Sequence, residues 1–557
     1  MLDRRSICIC ICIIAPALAS AQAPLPATSS GPVYSLSAEQ WRADLKFMAD
    51  EMRQRHKDLY HTVSAEKFAA AVSDLNARIP TLQRNEIIVG MMRIAAMVGD
   101  GHTRVDPRKD PNFGFPSLPL RLFLFEDGLF VRAAAPQYAS LVGAKIESIN
   151  GVPVQDAIAR VSEIISKDNE MATRLIAPVY LGMPDVLNAL KLSPTSKAAV
   201  FSVRKDGRTS TVTIPAVAIA PLWPGDTDGS FMTPEGWADA RTTTPLWLQA
   251  PLDFHRMIDL PDRHALYTQL NMVTGVKRES LSQFGARIRK HADSTNPRVL
   301  VVDLRLNYGG NMDLRSGFVR ELIKAENEDT RLFVLTARGS FSATEAILVD
   351  LRRLTTAVFI GEPASSKPNS YGDGYRSLLP NSGIRLQTSI YWHQLAGQSK
   401  APWTGVDIAA PLKFADYASG RDPALDASLH YMPSPSLQDR LVEAAKTGGV
   451  KAVRDTLAAF QGDVANRYLN LGVLVPDAAE ALYSAKQPEE AFAVAEIGAR
   501  DYPTSVDANL ILAYIAELTK RPDVALRASR RTLELDPTNR TARDIEARVK
   551  TLAKPQN

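Results

Sequence analysis

Three short segments of the 557-residue chain carry a histidine, paired glycines and a serine in settings that suit chemistry: 98–104 (VGDGHTR), 302–311 (VDLRLNYGGN) and 337–345 (ARGSFSATE). Ser342 follows a predicted strand and a short turn, and it stands at the start of a predicted helix. Free backbone N–H groups and the positive end of the helix dipole would favour an oxyanion beside it. The same position suits a plain N-cap, with Glu345 completing a capping box. The segment is compatible with a nucleophile, a cap, or both.

Paired glycines lie at a second predicted strand end. Gly309 and Gly310 separate a buried strand from a helix, so the chain there can approach a neighbour closely and offer free amides. An ordinary strand-to-helix turn is the alternative. The sequence contains neither a G-x-G-x-x-G fingerprint nor a Walker lysine, so the glycines alone do not indicate phosphate binding.

The first residues predict export. A short basic start, an apolar run over 7–18 and overlapping A-x-A sites are typical of a secretory signal peptide, here residues 1–21 with cleavage after Ala21. An uncleaved membrane anchor is the alternative. All three cysteines lie in this segment, so the mature chain has no thiol nucleophile and no thiolate metal site. We predict an exported protein, periplasmic or extracellular, with no membrane span after signal cleavage.

Hydrophobic periodicity divides the rest of the chain into four predicted regions. Apolar residues at three-to-four spacing predict an N-terminal helical domain over 36–112. Short strand-like runs with Asn-Gly and Asp-Gly turns predict a β domain over 116–221. Residues 226–420 alternate continuous apolar strands with helices, which predicts a mostly parallel sheet covered by helices. Residues 436–557 are predicted to be helical throughout.

The C-terminal region repeats itself. Six residue identities recur at an offset of 34: Lys486/Lys520, Pro488/Pro522, Ala491/Ala525, Pro503/Pro537, Thr504/Thr538 and Ala508/Ala542. A helix-turn-helix period of this length is the tetratricopeptide signature. Two units are fewer than the roughly three that usually fold alone, so we expect them to pack on a neighbouring part of the chain.

Four motifs in one order resemble a known family. Asp-Gly-His-Thr, Val-Val-Asp-Leu-Arg-x-Asn-x-Gly-Gly, Ser-Phe-Ser-Ala-x-Glu and Gly-Glu-Pro are similar to motifs of the tail-specific (C-terminal-processing) serine peptidases, with the tricorn core protease as a cousin. The similarity covers roughly residues 40–420. It implies a multidomain α/β fold with a ClpP/crotonase-like catalytic core, and residues 116–221 resemble a degenerate PDZ-like domain.

The resemblance also implies roles for single residues. Ser342 matches the nucleophile, and Gly309 or Gly310, together with the amide of Ala343, matches the oxyanion hole. Two bases stay open. Lys367 lies 25 residues after the serine in a Gly-Glu-Pro-x-x-x-Lys context, as in a Ser/Lys dyad, but a proline follows it. His102 matches the histidine of the tricorn-like branch and is the preferred base. A supporting glutamate expected just before Gly405 is missing from this sequence.

Other polar residues are given structural roles. His56 and His61 have an i, i+5 spacing that would not put both on one face of a helix, so no metal site is predicted there. Asp303 and Arg305 are interpreted as a buried pair, and Trp392, His393 and Trp403 as core or cleft-wall residues. No cofactor or metal is predicted. With 65 Lys and Arg against 61 Asp and Glu, the net charge of +4 argues against nucleic acid as a partner.

These observations predict an exported serine-type peptidase that acts on peptide or protein substrates through an acyl-enzyme on Ser342. Two alternatives are a catalytically inactive relative that binds peptides or other ligands, and a periplasmic adaptor that recruits a protein partner through its helical repeats.

Overall fold

The computed structural model describes residues 36–106, 115–217 and 232–552. The predicted signal peptide over residues 1–21 lies outside the described residues. None of the described helices combines the length and the apolar character needed to cross a bilayer.

Three helices open the described chain: α1 (Ala38–Arg55), α2 (Ala65–Arg78) and α3 (Arg84–Ala96). Ser37 caps α1 in a capping box with Gln40, and Ser64 caps α2, so both starts follow from N-cap chemistry. Pro80 lies in a short 3-10 turn between α2 and α3. The apolar faces of the three helices share one hydrophobic core with the antiparallel sheet that follows.

That antiparallel sheet takes up most of the next region. The elements here are β1 (Arg104–Val105), β2 (Leu120–Phe125), β3 (Gly128–Ala134), β4 (Lys145–Ile149), β5 (Val152–Pro153), α4 (Val154–Ser162), α5 (Glu170–Leu181), α6 (Pro184–Ala189), β6 (Ala198–Lys205), β7 (Arg208–Pro215) and β8 (Ala238–Asp239). The strand order is β2-β3-β4-β6-β7, with β5 on β4 and β8 on β3. The predicted Asn150-Gly151 turn joins β4 to β5, and both residues have positive φ.

A second, mostly parallel sheet forms the centre of the protein. Its region contains β9 (His255–Leu260), β10 (Ala265–Leu270), α7 (Leu281–Thr295), β11 (Val299–Asp303), α8 (Arg315–Ala325), β12 (Arg331–Thr336), α9 (Ala343–Leu354), β13 (Val358–Gly361), β14 (Asn369–Leu378), β15 (Arg385–Gln394), β16 (Ile408–Ala409), α10 (Phe414–Ser419) and α11 (Pro423–Leu429). The order β16-β13-β12-β11-β10-β9 is parallel except for β9. Apolar side chains from α7, α8 and α9 cover one face, and α11 contributes to the other.

The parallel sheet and one hairpin position the candidate site. The strands β11, β12 and β13 run in the same direction, so the loops that follow them, which carry the three central motifs, leave the sheet at one edge. The long hairpin β14–β15 pairs with β1, next to the Asp-Gly-His-Thr loop. Strands and helices thus alternate from β10 to β13, as the sequence predicts, and residues 226–231 of the predicted region lie outside the described residues.

The C-terminal region is helical: α12 (Leu437–Gly462), α13 (Leu471–Ser484), α14 (Pro488–Asp501), α15 (Val506–Leu518), α16 (Pro522–Leu535) and α17 (Arg540–Leu552). The 34-residue offset aligns α14 with α16 in the sequence. Each helix starts at a proline, and each has a completely buried alanine at the matching position, Ala491 or Ala525. The assignment of these pairs to the tetratricopeptide class stays a prediction.

Candidate active site

Ser342 lies in a strained turn between β12 and α9. Its backbone has φ 58° and ψ −122°, a conformation that costs a non-glycine residue about 1–3 kcal/mol and persists only where neighbours hold it. The N–H of Ser342 donates to Ser366 Oγ at 2.9 Å, in the loop after β13. Ser342 occupies the N-cap position of α9, but its side chain makes no capping hydrogen bond. The hydroxyl is therefore left to a different partner.

The Asp-Gly-His-Thr loop is organised around the buried carboxylate of Asp100. Asp100 Oδ1 accepts the N–H groups of His102 and Thr103 at 2.8 and 2.6 Å and the hydroxyl of Ser389 at 2.8 Å. Asp100 Oδ2 lies 2.9 Å from His56 Nε2. Burial alone would raise the pKa of Asp100, but the hydrogen bonds from these groups outweigh it and lower the pKa to about 2. Asp100 is thus charged and fixes the backbone that carries His102.

His102 Nε2 lies 3.0 Å from Ser342 Oγ, within hydrogen-bond distance, although the two residues are 240 positions apart in the sequence. The imidazole stacks on the Phe341 ring at 4.5 Å and is only 7% exposed. Burial lowers the pKa of His102 to about 4, with the charge of Arg104 acting in the same direction and that of Asp100 opposing it. The ring is therefore neutral near pH 7 and can accept the proton of Ser342.

No carboxylate orients the second nitrogen of this histidine within the described ranges. In that part of the chain, the buried ring of His102 has no side-chain partner at Nδ1, and the backbone carbonyl of Tyr371 acts on the ring as a weak acceptor. The backbone carbonyl of Tyr371 on β14 favours the protonated ring and so opposes part of the lowering of the His102 pKa. The structure therefore provides a serine-histidine pair whose histidine is held by its own loop and by ring packing.

The paired glycines lie directly beside Ser342. Gly309 has φ +102°, and a Cβ there would lie 2.8 Å from both Phe341 O and Ser342 Cβ. Gly310 has φ +140°, and a Cβ there would lie 2.2 Å from Val273 O. Both positions therefore need glycine for space as well as for conformation.

The three candidate oxyanion donors are not equivalent. The sequence leaves open whether Gly309 or Gly310 supplies an oxyanion donor. The N–H of Gly309 already donates to Asn307 Oδ1 at 2.9 Å, so the amide of Gly309 is not free for this role. The amides of Gly310 and Ala343 have no acceptor among the described residues. We therefore retain these two amides as the candidate oxyanion donors.

Lys367, the alternative base, is half-buried, and no hydrogen bond joins it to Ser342 in the part of the chain that the structure describes. Its charge instead acts on Asp168 and His61, where it lowers the pKa of each. Of the two bases that the sequence leaves open, the structure brings His102 to the serine.

A carboxyl group does reach the position of the missing glutamate. Glu345, considered from the sequence only as part of a capping box, accepts the N–H and the hydroxyl of Thr404 on Oε1 at 3.1 and 2.6 Å. Burial raises the pKa of Glu345 to about 7, against the hydrogen bonds from Thr404. The two residues are 59 positions apart, and no local sequence signal predicts their pairing.

The separation predicted for His56 and His61 is wrong. The helix α1 ends at Arg55, so the helical spacing argument does not apply, and the two rings stack at 5.8 Å. One ligand atom from each of His56, His61 and Asp100 lies within 4.8 Å of the others. His56 Nδ1, however, accepts the N–H of Asp58 at 3.0 Å, so Nε2 carries the proton and donates to Asp100. The cluster therefore suits a shared proton better than a cation.

The remaining polar residues have packing or pairing roles. Asp303 and Arg305 are buried and form an ion pair at 2.6 Å, and Arg305 also pairs with Asp422 at 2.7 Å. Trp403 packs edge-on against Tyr468. His393 lies 3.3 Å from Asp373, and Trp392 beside it is 42% exposed.

The fold and the site together define a mixed α/β protein with a serine-histidine pair at the strand ends of a parallel sheet. No family model and no curated protein matches the chain. Among similar solved structures, mature CPAF complexed with lactacystin is 13% identical, with a TM-score of 0.44, covering 69% of this chain and 96% of the other.

Two further solved structures show a likeness at lower TM-scores. A photosystem II D1 C-terminal processing protease is 14% identical, with a TM-score of 0.31, covering 70% of this chain and 99% of the other. The tricorn protease is 14% identical, with a TM-score of 0.32, covering 71% of this chain and 36% of the other. The similar structures thus include both kinds of peptidase that the sequence resemblance names.

Proposed function

We propose that this chain is a serine-type peptidase that cleaves peptide bonds through an acyl-enzyme on Ser342, with His102 as the general base. The observation that carries the proposal is the 3.0 Å contact between His102 Nε2 and Ser342 Oγ, next to two amides without acceptors in the described part of the chain. A nucleophile, a neutral base and oxyanion donors are the three groups that acyl transfer requires.

The proposed reaction has two halves. Ser342 Oγ attacks the carbonyl carbon of the substrate while His102 Nε2 takes the hydroxyl proton, and the oxyanion faces the amides of Gly310 and Ala343. The C–N bond then breaks, and the amine leaves with the proton returned by His102. A water molecule, deprotonated by His102, attacks the acyl-enzyme and releases the carboxylic acid and free Ser342.

Covalent labelling with a fluorophosphonate probe tests the nucleophile. We expect the purified full chain to be labelled, and Ser342→Ala to lose the label completely because its hydroxyl forms the bond to phosphorus. Ser419→Ala is the matched control, since its exposed hydroxyl donates to the backbone carbonyls of Ala415 and Asp416 within its own helix, α10. Mass-spectrometric detection of new peptide termini in casein digests then separates a peptidase from a general esterase.

Two results would contradict the proposal. Equal labelling of Ser342→Ala would place the nucleophile elsewhere. A folded wild-type protein with neither label nor peptide hydrolysis would favour the inactive, ligand-binding relative that the sequence also allows.

We further propose that the C-terminal helices bind a protein partner through an acidic segment. A groove of about 520 Å³ between the helices is lined by four arginines, Arg454, Arg500, Arg527 and Arg531, and by only one acidic residue, Glu496. The region 436–557 as a whole is balanced, with 17 Lys and Arg and 17 Asp and Glu. Arg500 and Arg531 already pair with Asp501 and Glu534, so Arg454 and Arg527 supply the positive charge that the groove offers to an acidic ligand. Ile497, Leu512 and Val524 supply apolar lining, which suits an acidic amphipathic helix.

Removal of residues 470–557 is expected to leave hydrolysis of a small peptide ester largely intact, because none of the proposed site residues lies there. It should weaken action on a natural protein partner. The helix α12 shares its core with α13 and α14, so circular dichroism melting must accompany the assay. A well-folded truncation that has lost ester hydrolysis would contradict this division of roles.

A charge-reversal pair tests the groove without truncation. Arg454→Glu with Arg527→Glu should weaken binding of a fluorescent Glu/Leu amphipathic peptide at least about tenfold, measured by anisotropy. Lys520→Glu, exposed and outside the groove lining, should leave it unchanged. Binding that survives the double reversal, or that occurs only with RNA or anionic vesicles, would overturn the proposed partner.

A further inference from the structure

Two adjacent residues at the end of the connection between α4 and α5, Asp168 and Asn169, contact both loops of the candidate site. Asp168 Oδ1 accepts the N–H of Gly101 at 3.0 Å. Asn169 Nδ2 donates to three backbone carbonyls, those of Ala364 at 3.0 Å, Ser366 at 3.2 Å and Pro402 at 2.8 Å. Both side chains are buried. No motif in the sequence points to either residue.

The contacts lead to the two loops that hold His102 and Ser342 in place. Gly101 directly precedes His102, so its N–H adds a second anchor to the base loop, beside the N–H groups of His102 and Thr103 that Asp100 accepts. Ser366 Oγ accepts the N–H of Ser342 at 2.9 Å, and this hydrogen bond holds the strained turn that carries Ser342. Residues 168–169 therefore connect the base loop to the nucleophile loop through two short chains of hydrogen bonds.

The second carboxylate oxygen of Asp168, Oδ2, is buried and has no side-chain partner within the described ranges. The backbone N–H of Lys367 also acts on this carboxylate and lowers its pKa. A Cβ at Gly101 would lie 3.5 Å from this oxygen and 2.9 Å from the Phe341 ring, so glycine lets the base loop lie against both groups. The charges that act on Asp168 are those of Asp100 and Lys367, and Glu345 on α9 lies close enough to be affected by Asp168 in turn.

We propose that Asp168 and Asn169 are positioning residues that set the distance between His102 and Ser342, and that Asp168 does so by anchoring Gly101. This inference rests on the proposed peptidase function. Its physical basis is that no carboxylate orients the His102 ring among the described residues, so the ring's placement depends on its backbone. A displacement of about 1 Å at a reacting group can cost on the order of 10²-fold in rate.

The ionisation of Asp168 gives this pair of residues a measurable signature. Burial raises the pKa of Asp168 to about 7, with Asp100 adding to the rise and the Gly101 N–H and Lys367 opposing it. Above that pH the carboxylate accepts a charge-assisted, stronger hydrogen bond from Gly101. Activity should therefore rise as the pH passes upward through about 7.

Three variants of the full chain separate positioning from a general structural role. Asp168→Ala removes the acceptor and should lower kcat about 10²-fold with KM nearly unchanged. Asp168→Asn keeps an acceptor for Gly101 and should restore most of kcat, but its profile should lack the rise near pH 7. Asp156→Ala, an exposed acid on the neighbouring α4, should behave as wild type.

The carboxyl of Glu345, whose pKa is also raised to about 7 by burial, is the competing source of such a rise. Glu345→Gln should keep the rise if Asp168 causes it. Loss of the rise in Glu345→Gln and its persistence in Asp168→Asn would overturn the assignment to Asp168.

A crystal structure of the Asp168→Ala protein tests the inference without activity. We expect the His102 Nε2 to Ser342 Oγ distance to increase from 3.0 Å to beyond about 3.5 Å. An unchanged distance, or full activity of Asp168→Ala in an active wild-type background, would refute the positioning role and leave the peptidase proposal standing. An inactive, unlabelled wild type would refute the peptidase proposal, while the distance measurement would still decide the inference.

Discussion

Replacement of His102 by alanine is expected to lower kcat/KM about 10²–10⁴-fold, the range for loss of a general base. Of the two candidate bases, only His102 reaches Ser342 Oγ, at 3.0 Å. Lys367→Ala should change kcat/KM by less than about fivefold, since its amine makes no hydrogen bond to Ser342 in the described structure and a base contributes only when it reaches the proton. Initial rates on a peptide ester, with melting curves of both variants, check this prediction.

The pH profile provides a second readout of the same base. Burial lowers the pKa of His102 to about 4, so the ring stays neutral and able to accept a proton until the pH falls to about that value. Below the step near pH 7 that we assign to Asp168, we expect the remaining kcat/KM to fall near pH 4 as His102 takes up a proton, well below the value near 6.5 of an unperturbed imidazole. The Asp168→Asn protein should show the fall near pH 4 alone. An inactive Lys367→Ala protein together with an active His102→Ala protein would reverse the assignment of the base.

Gly309→Ala is expected to remove activity by a different route. The new Cβ would lie 2.8 Å from Ser342 Cβ and 3.0 Å from the nitrogen of Ala343, in a backbone with φ +102°. It would push the nucleophile away from His102 and crowd the candidate oxyanion amide. We expect kcat to fall about 10²–10³-fold, as when an oxyanion donor is lost.

Gly383→Ala is the control for backbone strain. Gly383 has φ +70°, and a Cβ there would meet nothing within 4 Å. It should lower the melting temperature through backbone strain alone, by less than Gly309→Ala, which adds a steric conflict, and it should leave kcat unchanged. Equal kcat values for the two variants would show that the space beside Ser342 is not needed for catalysis.

The parts of the structure that depend on local patterns could be predicted from the sequence. The apolar run at 299–302 lies in the buried strand β11, which ends at Asp303, and Ser342 does stand where a strand turns into a helix. The helical spacing over 36–112 predicted helices in this region, and the starts of α1 and α2 follow local capping chemistry, because the N-cap serine and the N–H groups that it accepts are neighbours in the chain.

The connections that hold the site together could not be predicted. Asp168 meets Gly101 across 67 residues, and Asn169 meets Pro402 across 233, with no periodicity or motif to mark either contact. Glu345 looked like a helix-capping residue because its tertiary partner, Thr404, is distant in the chain. Because α1 ends at Arg55, the chain from His56 onward is not helical, and His56 and His61 come close together.

The nucleophile turn has a consequence for the order in which activity arises during synthesis. Ser342 keeps its costly backbone conformation through the hydroxyl of Ser366, which emerges from the ribosome later, and Ser366 is in turn contacted by Asn169, which emerges much earlier. A nascent chain that ends before residue 366 has both His102 and Ser342 but lacks the group that holds the serine in place. Under the proposed function, the reacting pair is completed only when most of the chain has been made, so hydrolytic competence is acquired late in biogenesis.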